Sequence, residues 1–314
     1  MTYEKLVKEL RGYYMEFQKF VKLLICKIQL YIGNEYEISE HKVTKNNSVE
    51  LTGIMAKKKG SNVFPTYYVD DFYDEYMKEE DLEMLALKLA RHLESAAINE
   101  TMCIDEFVDF ETARNSIYLK LINADQNKNL LLDIPHVRFH NLAIVFIFML
   151  GTDVEGAAGT ILIRNEHMEN WDKATEEIYT IAYENTHEKF PAKVYGIFDI
   201  MENMSGKRLD SIPDIERDAI PMKVVTNESK MYGASVMLYP DEMEEIGKQM
   251  GGSFYILPSS IHELILLPDD GDINPAVYLN MVTEVNATEL NPQEVLADSI
   301  YYFNSDTQSV EWIC

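Results

Sequence analysis

Ser259, Ser260, His262 and Glu263 fall within five positions of one stretch, "FYILPSSIHELILLPDD" at 254–270. They supply a hydroxyl, an imidazole and a carboxylate, the residue types of a nucleophilic triad. A hydrolase using Ser260 and His262, with Glu263 or a distant carboxylate as the third member, is the catalytic reading. The pattern lacks a nucleophile elbow, in which glycines flank the serine so that a strained strand-to-helix turn can form. Around Ser259 those places hold Leu257, Pro258, Ser260 and Ile261. On an extended segment Ser260 and His262 share a face, but base and nucleophile need facing approach at hydrogen-bond distance. The spacing therefore favours a corner between two strands, "FYIL" and "ELILL", with the serine hydroxyls bonding turn backbone.

Other clusters are weaker. "NEHMENW" (165–171) has Glu166 and His167 but no second histidine one turn later, so it is not a zinc-protease helix; Asn165 reads as a helix cap and His167 as exposed. "PHVRFH" places His136, Arg138 and His140 at alternate positions, one face of a strand, where Arg138 opposes a metal; an anion pocket is the functional reading, and a salt-bridged surface strand is the favoured one. "YYVDDFYDEYMKEED" gathers Asp70, Asp71, Tyr73, Asp74 and Tyr76 without the glycine and distal glutamate of a calcium loop, so it reads as a protein-binding surface or an acidic helix start. "GAAGT" (156–160) precedes a strand, whereas a phosphate loop precedes a helix. No cofactor and no metal site is expected.

Charge narrows the partners. Of 314 residues, 53 are Asp or Glu and 28 Lys or Arg, a net charge of −25. Residues 1–60 hold 11 bases against 7 acids, the rest 17 against 46, and no base follows Lys248. Phosphate binding depends on clustered Lys and Arg, so most of the chain repels nucleic acid and anionic lipid. Lys57, Lys58 and Lys59 are the one candidate phosphate clamp, in a lobe whose α-β-β-β-α order is shared with double-stranded-RNA-binding modules. The longest apolar run, "LAIVFIFML" at 142–150, is about half a membrane span. Charges interrupt the first ten residues, and Cys26, Cys103 and Cys314 form no CxxC pair. A cytoplasmic protein is expected.

The elements that must position these residues read as α+β (mixed α/β). Apolar spacing predicts a helix over 3–32, a hairpin through "TKNNS", a third strand at 63–69, a helix from about Asp81 and another over 106–122. The boundary is placed in "NADQNKN" (123–129), dividing an N-terminal lobe, 1–126, from a larger lobe of interleaved strands and helices, 127–314. In the latter, strands are expected at "GASVMLYP", "SFYILP" and "ELILLP", with helices at 175–185, 197–204, 241–250 and 275–285. "ILIRNEHMENW" (161–171) and "VMLYPDEMEEI" (236–246) align without gaps, as an internal repeat or as ordinary strand-to-helix grammar.

These blocks, with "HKVTKNNSVELTG", "PTYYVDDFYDEY", "IPHVRFHNLAIVF" and "VNATELNPQEVLADSIYYF", resemble a bacterial family known as domain of unknown function 5688. The resemblance spans nearly the whole chain and implies no activity, cofactor or catalytic residue. It implies a glycine after the two hairpin asparagines, where this chain has Ser48, so Asn46 and Asn47 are expected to carry the positive φ values. The reading is a non-enzymatic interaction or regulatory protein acting through an acidic aromatic surface, of which an acidic DNA mimic is one variant.

Overall fold

A computed structural model describes residues 15–59, 66–78, 81–152, 158–205, 221–271 and 274–314. The chain forms two compact units, one of Met1–Lys45 and Val49–Val108, the other of Asn46–Ser48 and Asp109–Cys314. Both mix helices with antiparallel strands, so the class is α+β, as its periodicities indicate.

In the first unit, helix α1 (Phe17–Ile32) sets Phe20, Val21, Leu24, Ile28 and Ile32 on one face. Gly33, at φ 73, ends it in a backbone conformation that side chains disfavour. β1 (Tyr36–Thr44) and β2 (Glu50–Lys58) pair antiparallel from Tyr36↔Lys58 to Thr44↔Glu50, and β3 (Thr66–Tyr68) adds to β2. Ile54 and Ala56 on β2 meet α1 and the helix α3 (Leu82–Val108), whose Leu85, Leu89 and Leu93 are buried. Each large apolar side chain so buried contributes about 1.5–3 kcal/mol. Between them lies α2 (Asp70–Met77). The first part of the helix predicted over 3–32, and residues 63–65 of the third strand, lie outside the described residues.

The described residues of the second unit form two sheets. In one, β4 (Ile117–Asn123), β6 (Leu142–Thr152) and β5 (His136–Phe139) lie in that order, with β7 (Ala158–Leu162) also on β6. In the other the order is β13-β12-β10-β11-β9-β8, built from β8 (Ala192–Gly196), β9 (Lys223–Asn227), β10 (Phe254–Pro258), β11 (Leu264–Pro268), β12 (Tyr301–Asn304) and β13 (Ser309–Trp312). Its helices are α4 (Phe110–Ala113), α5 (Asn165–Trp171), α6 (Thr175–Lys189), α7 (Ile197–Ser205), α8 (Pro240–Met250) and α9 (Pro275–Thr288).

Three expectations change. The units part after Val108, not in 123–129, because Ile117–Asn123 is strand β4 rather than the end of a helix over 106–122. Six of its seven residues are buried, so no alternation marks it as a strand. "GASVML" is a 3-10 turn, Gly233–Leu238, and its first five residues are buried. The two segments of the apparent repeat thus differ in backbone: one enters its helix from β7, the other from that turn. What they share is a helix start that buries Met168 and Trp171 in one case and Met243 and Ile246 in the other.

The turn between β1 and β2 is the third. Asn47 and Ser48 carry positive φ, both 58°, and Asn46 does not. Ser48 occupies the glycine-like conformation itself, and its hydroxyl donates to Gln126 O at 2.7 Å. Asn127, 1 % exposed, organises this turn. Its amide nitrogen donates to Asn46 Oδ1 (3.0 Å), Asn47 Oδ1 (3.0 Å) and Asn123 O (2.7 Å), and its oxygen accepts from the Asn47 backbone N–H (2.8 Å). Asn127→Ala is expected to lose about 3 kcal/mol in urea unfolding, because it strands several buried polar groups at once. Asn127→Asp is expected to lose more, since a carboxylate places an acceptor against three acceptors.

Candidate functional site

β10 and β11 run antiparallel to the pair Pro258↔Leu264, and the five residues between them make the corner. The Ser260 N–H donates to Glu263 O (3.2 Å), and the His262 N–H donates to Ser260 Oγ (3.0 Å). Ser259 Oγ reaches Glu263 Oε1 at 3.4 Å. Ile261 is held from outside, its N–H donating to Glu294 O (2.8 Å) while its carbonyl accepts from the Ala234 N–H (3.4 Å). The His262 carbonyl accepts from Thr226 Oγ1 on β9 at 2.8 Å. Ser260 is 6 % exposed, so these bonds satisfy groups that water does not reach.

The imidazole of His262 is engaged too. Its Nδ1 accepts from the Tyr232 N–H at 3.2 Å, which places the proton of the neutral ring on Nε2. The Tyr232 ring stacks on it at 5.4 Å and 18°, and Lys120 Nζ of β4 stands 4.7 Å from the centroid of that tyrosine ring. Burial holds the His262 pKa below its ordinary value; Glu294 opposes this and Lys120 reinforces it. No hydrogen bond among the described residues joins either serine hydroxyl to the imidazole. The four residues of the opening motif are adjacent, but Ser260 Oγ and His262 Nδ1 are each engaged by a backbone N–H rather than by one another.

The remaining candidates are dispersed. His136 and Arg138 lie on β5, with His136 Nδ1 at 3.1 Å from Ile134 O and Arg138 exposed. His140 has left the strand with φ 53°, and its Nε2 lies 2.9 Å from Val310 O on β13, so the alternating row of three is broken after Arg138. His167 is not exposed as expected: its Nδ1 accepts from the Arg164 N–H at 3.0 Å, and burial lowers its pKa. Asn165 does not cap its helix but is the first residue in it.

In the first unit, Asp70 Oδ2 accepts from the Thr52 N–H at 2.9 Å. The ring of Tyr73 packs on Phe17 and Phe20 at 5.1 and 5.2 Å, that of Tyr76 on Phe20 at 5.2 Å, and the Tyr73 hydroxyl donates to Met15 O at 3.0 Å. The rings of Tyr73 and Tyr76 are thus half-buried against the core, and of the five Asp71 and Asp74 are exposed. Lys57 and Lys58 end β2 and Lys59 follows it, all three exposed, with Lys58 Nζ 5.9 Å from the Tyr36 ring.

Residues 17–305 match the family model described as "Family of unknown function (DUF5688)". The chain belongs to this family. DUF5688 carries no assigned activity, and no curated protein and no solved structure matches the chain.

A second locus in this DUF5688 chain was not singled out in the sequence. The last turns of α6 and the first turns of α8 flank an open groove of about 670 Å³ lined by Glu184, His187, Glu188, Pro191, Asp241, Glu242 and Glu245. Pro240 starts α8, Asp241 and Glu242 sit favourably at its positive end, and His187 sits at the negative end of α6. His187 Nε2 lies 3.1 Å from Asp241 Oδ2, and its ring stacks at 4.6 Å on Tyr239, whose hydroxyl pKa burial raises strongly. Glu242 Oε1 accepts from the Ala192 N–H at 3.3 Å. Among the described residues, no group of His, Cys, Asp and Glu is arranged to hold a metal. Each half reads in sequence only as a charged helix face; the fifty-odd residues between them hide the juxtaposition.

The corner's architecture has measurable consequences. Gly233→Ala is expected to destabilise by at least about 3 kcal/mol, because a Cβ there would meet His262 O at 2.5 Å and Thr226 Cα at 2.8 Å, both backbone atoms. Ser260→Ala should cost about 1–2 kcal/mol by stranding the His262 N–H, and Ser259→Ala under about 0.5 kcal/mol. Thermal unfolding of the three variants reads this order directly.

Proposed function

We propose that this chain is a non-enzymatic interaction protein whose acidic surface takes a basic segment of a partner protein. The observation that carries this reading is the groove between α6 and α8, where Glu184, Glu188, Asp241, Glu242 and Glu245 line an open concavity with no Lys or Arg among the lining residues. The charge of the whole chain, −25, extends the same field outward and steers cationic partners toward it. The engagement of Ser260 Oγ and His262 Nδ1 by backbone N–H groups supports the reading over hydrolysis. Location in the cytoplasm and a regulatory role are part of the same proposal; no helix among the described residues is long and apolar enough to cross a membrane.

The test uses a fluorescein-labelled dodecapeptide of alternating Lys, Arg and Ala. Fluorescence anisotropy is expected to show micromolar binding at low salt that weakens at least tenfold by 300 mM NaCl. The groove variant Glu184→Gln/Asp241→Asn/Glu245→Gln should bind at least fivefold more weakly than a variant with equal charge removed elsewhere, Glu50→Gln/Asp71→Asn/Asp74→Asn. Equal weakening in both variants defeats the groove as the site, and lack of binding at low salt defeats the proposal.

A further inference from the structure

Tyr232 has φ 53° and ψ 29°, and Lys230, two residues earlier, has φ 55°. Residues with side chains occupy that region only when their surroundings hold them there. Within the loop, Asn227 ties Met231, its Nδ2 donating to Met231 O at 2.7 Å and its Oδ1 accepting from the Met231 N–H at 3.3 Å. At Tyr232 the N–H donates to His262 Nδ1, while the carbonyl accepts from the Ser235 N–H at 3.1 Å and the hydroxyl bonds Thr160. The tyrosine ring follows, stacked on the imidazole with Lys120 Nζ beside it.

That hydrogen bond exists only while Nδ1 carries a lone pair. A proton taken from solvent onto Nδ1 turns the acceptor into a donor facing the Tyr232 N–H, and it creates a second positive charge beside Lys120 of β4. From its own corner His262 faces Ser260 and Glu263, from β9 Thr226, and from the loop after α9 Glu294, whose carbonyl already holds Ile261. Glu294 is the group whose charge favours the protonated ring, and so offers it an alternative partner.

We propose that His262 is a proton-operated latch: neutral, it clamps the strained Tyr232 loop through Nδ1; protonated, it releases that loop and turns to Glu294. The direction follows from the closed form's preference for neutral imidazole. Burial lowers the pKa of the closed state, so the latch is shut at neutral pH and opens as pH falls below the ordinary imidazole range, about 6.5. Release frees the Tyr232 amide from its acceptor and loosens the contact of its ring with the imidazole and with Lys120.

Full-length protein labelled with ¹⁵N-tyrosine tests this by NMR from pH 7.5 to 4.5, the Tyr232 signal being assigned by its loss in Tyr232→Phe. The protection factor of the Tyr232 amide is expected to fall at least tenfold in step with the His262 Cε1–H titration, with the far-UV circular dichroism unchanged. His262→Asn, whose Oδ1 keeps the acceptor without titrating, should hold the protection constant. Glu294→Gln should move the transition to lower pH. Constant Tyr232 protection while His262 titrates, no titration of His262 above pH 4.5, or the same loss in His262→Asn would each overturn the latch.

Discussion

A backbone N–H removed from water must find an acceptor, and leaving one unmade costs about 1–3 kcal/mol, enough to matter against a typical domain's whole stability. This constraint governs the second unit. β4 is the edge of its sheet, and its outward backbone groups meet α6: Thr186 Oγ1 accepts from the Leu119 N–H at 2.8 Å, and Asn185 Nδ2 donates to Ile117 O at 3.0 Å. Without those two side chains the strand would present an unpaired row to the helix packed against it. The carbonyl of Val310 on β13, a second edge, is met by His140 in the same way.

The same demand sets what several polar side chains of the second unit bind. Ser260, His262, His167 and Asn127 each hold at least one main-chain N–H, and three of them do so where the chain turns sharply. A hydroxyl or imidazole spent on a buried amide is fixed in orientation and partly used up. The strain accepted at Asn47, Ser48 and Tyr232 is offset by these side-chain bonds, so conformation and hydrogen bonding are settled together.

Charge acts on a different scale. Many carboxylates point outward, and those of α6 and α8 meet across one groove. Their placement at helix ends is favourable for α8, where Asp241 and Glu242 face the positive end, and less so for Glu184 and Glu188 near the negative end of α6. Helix stability alone does not account for acids at both ends.

The sequence by itself determined the class, the hairpin, the amphipathic helix α1, the helix α9, and the strand-corner-strand at 254–268, because each carries a local signal: a period of 3.6 or 2, an Asn-Pro start, or Pro-Ser-Ser between apolar runs. It failed at β4 and at Gly233–Leu238, where burial on all sides erases the period, and at Tyr73 and Tyr76, whose amphipathic rings serve a core as readily as a surface. It also placed positive φ on Asn46 rather than Ser48, since residue preference does not reveal which member of a turn its hydrogen bonds will hold. Only the tertiary structure decided which acids share a groove, which nitrogen of His262 is an acceptor and what Asn127 holds. Those outcomes depend on groups tens of residues apart, and no local preference encodes a contact whose two halves meet only after the sheets have formed.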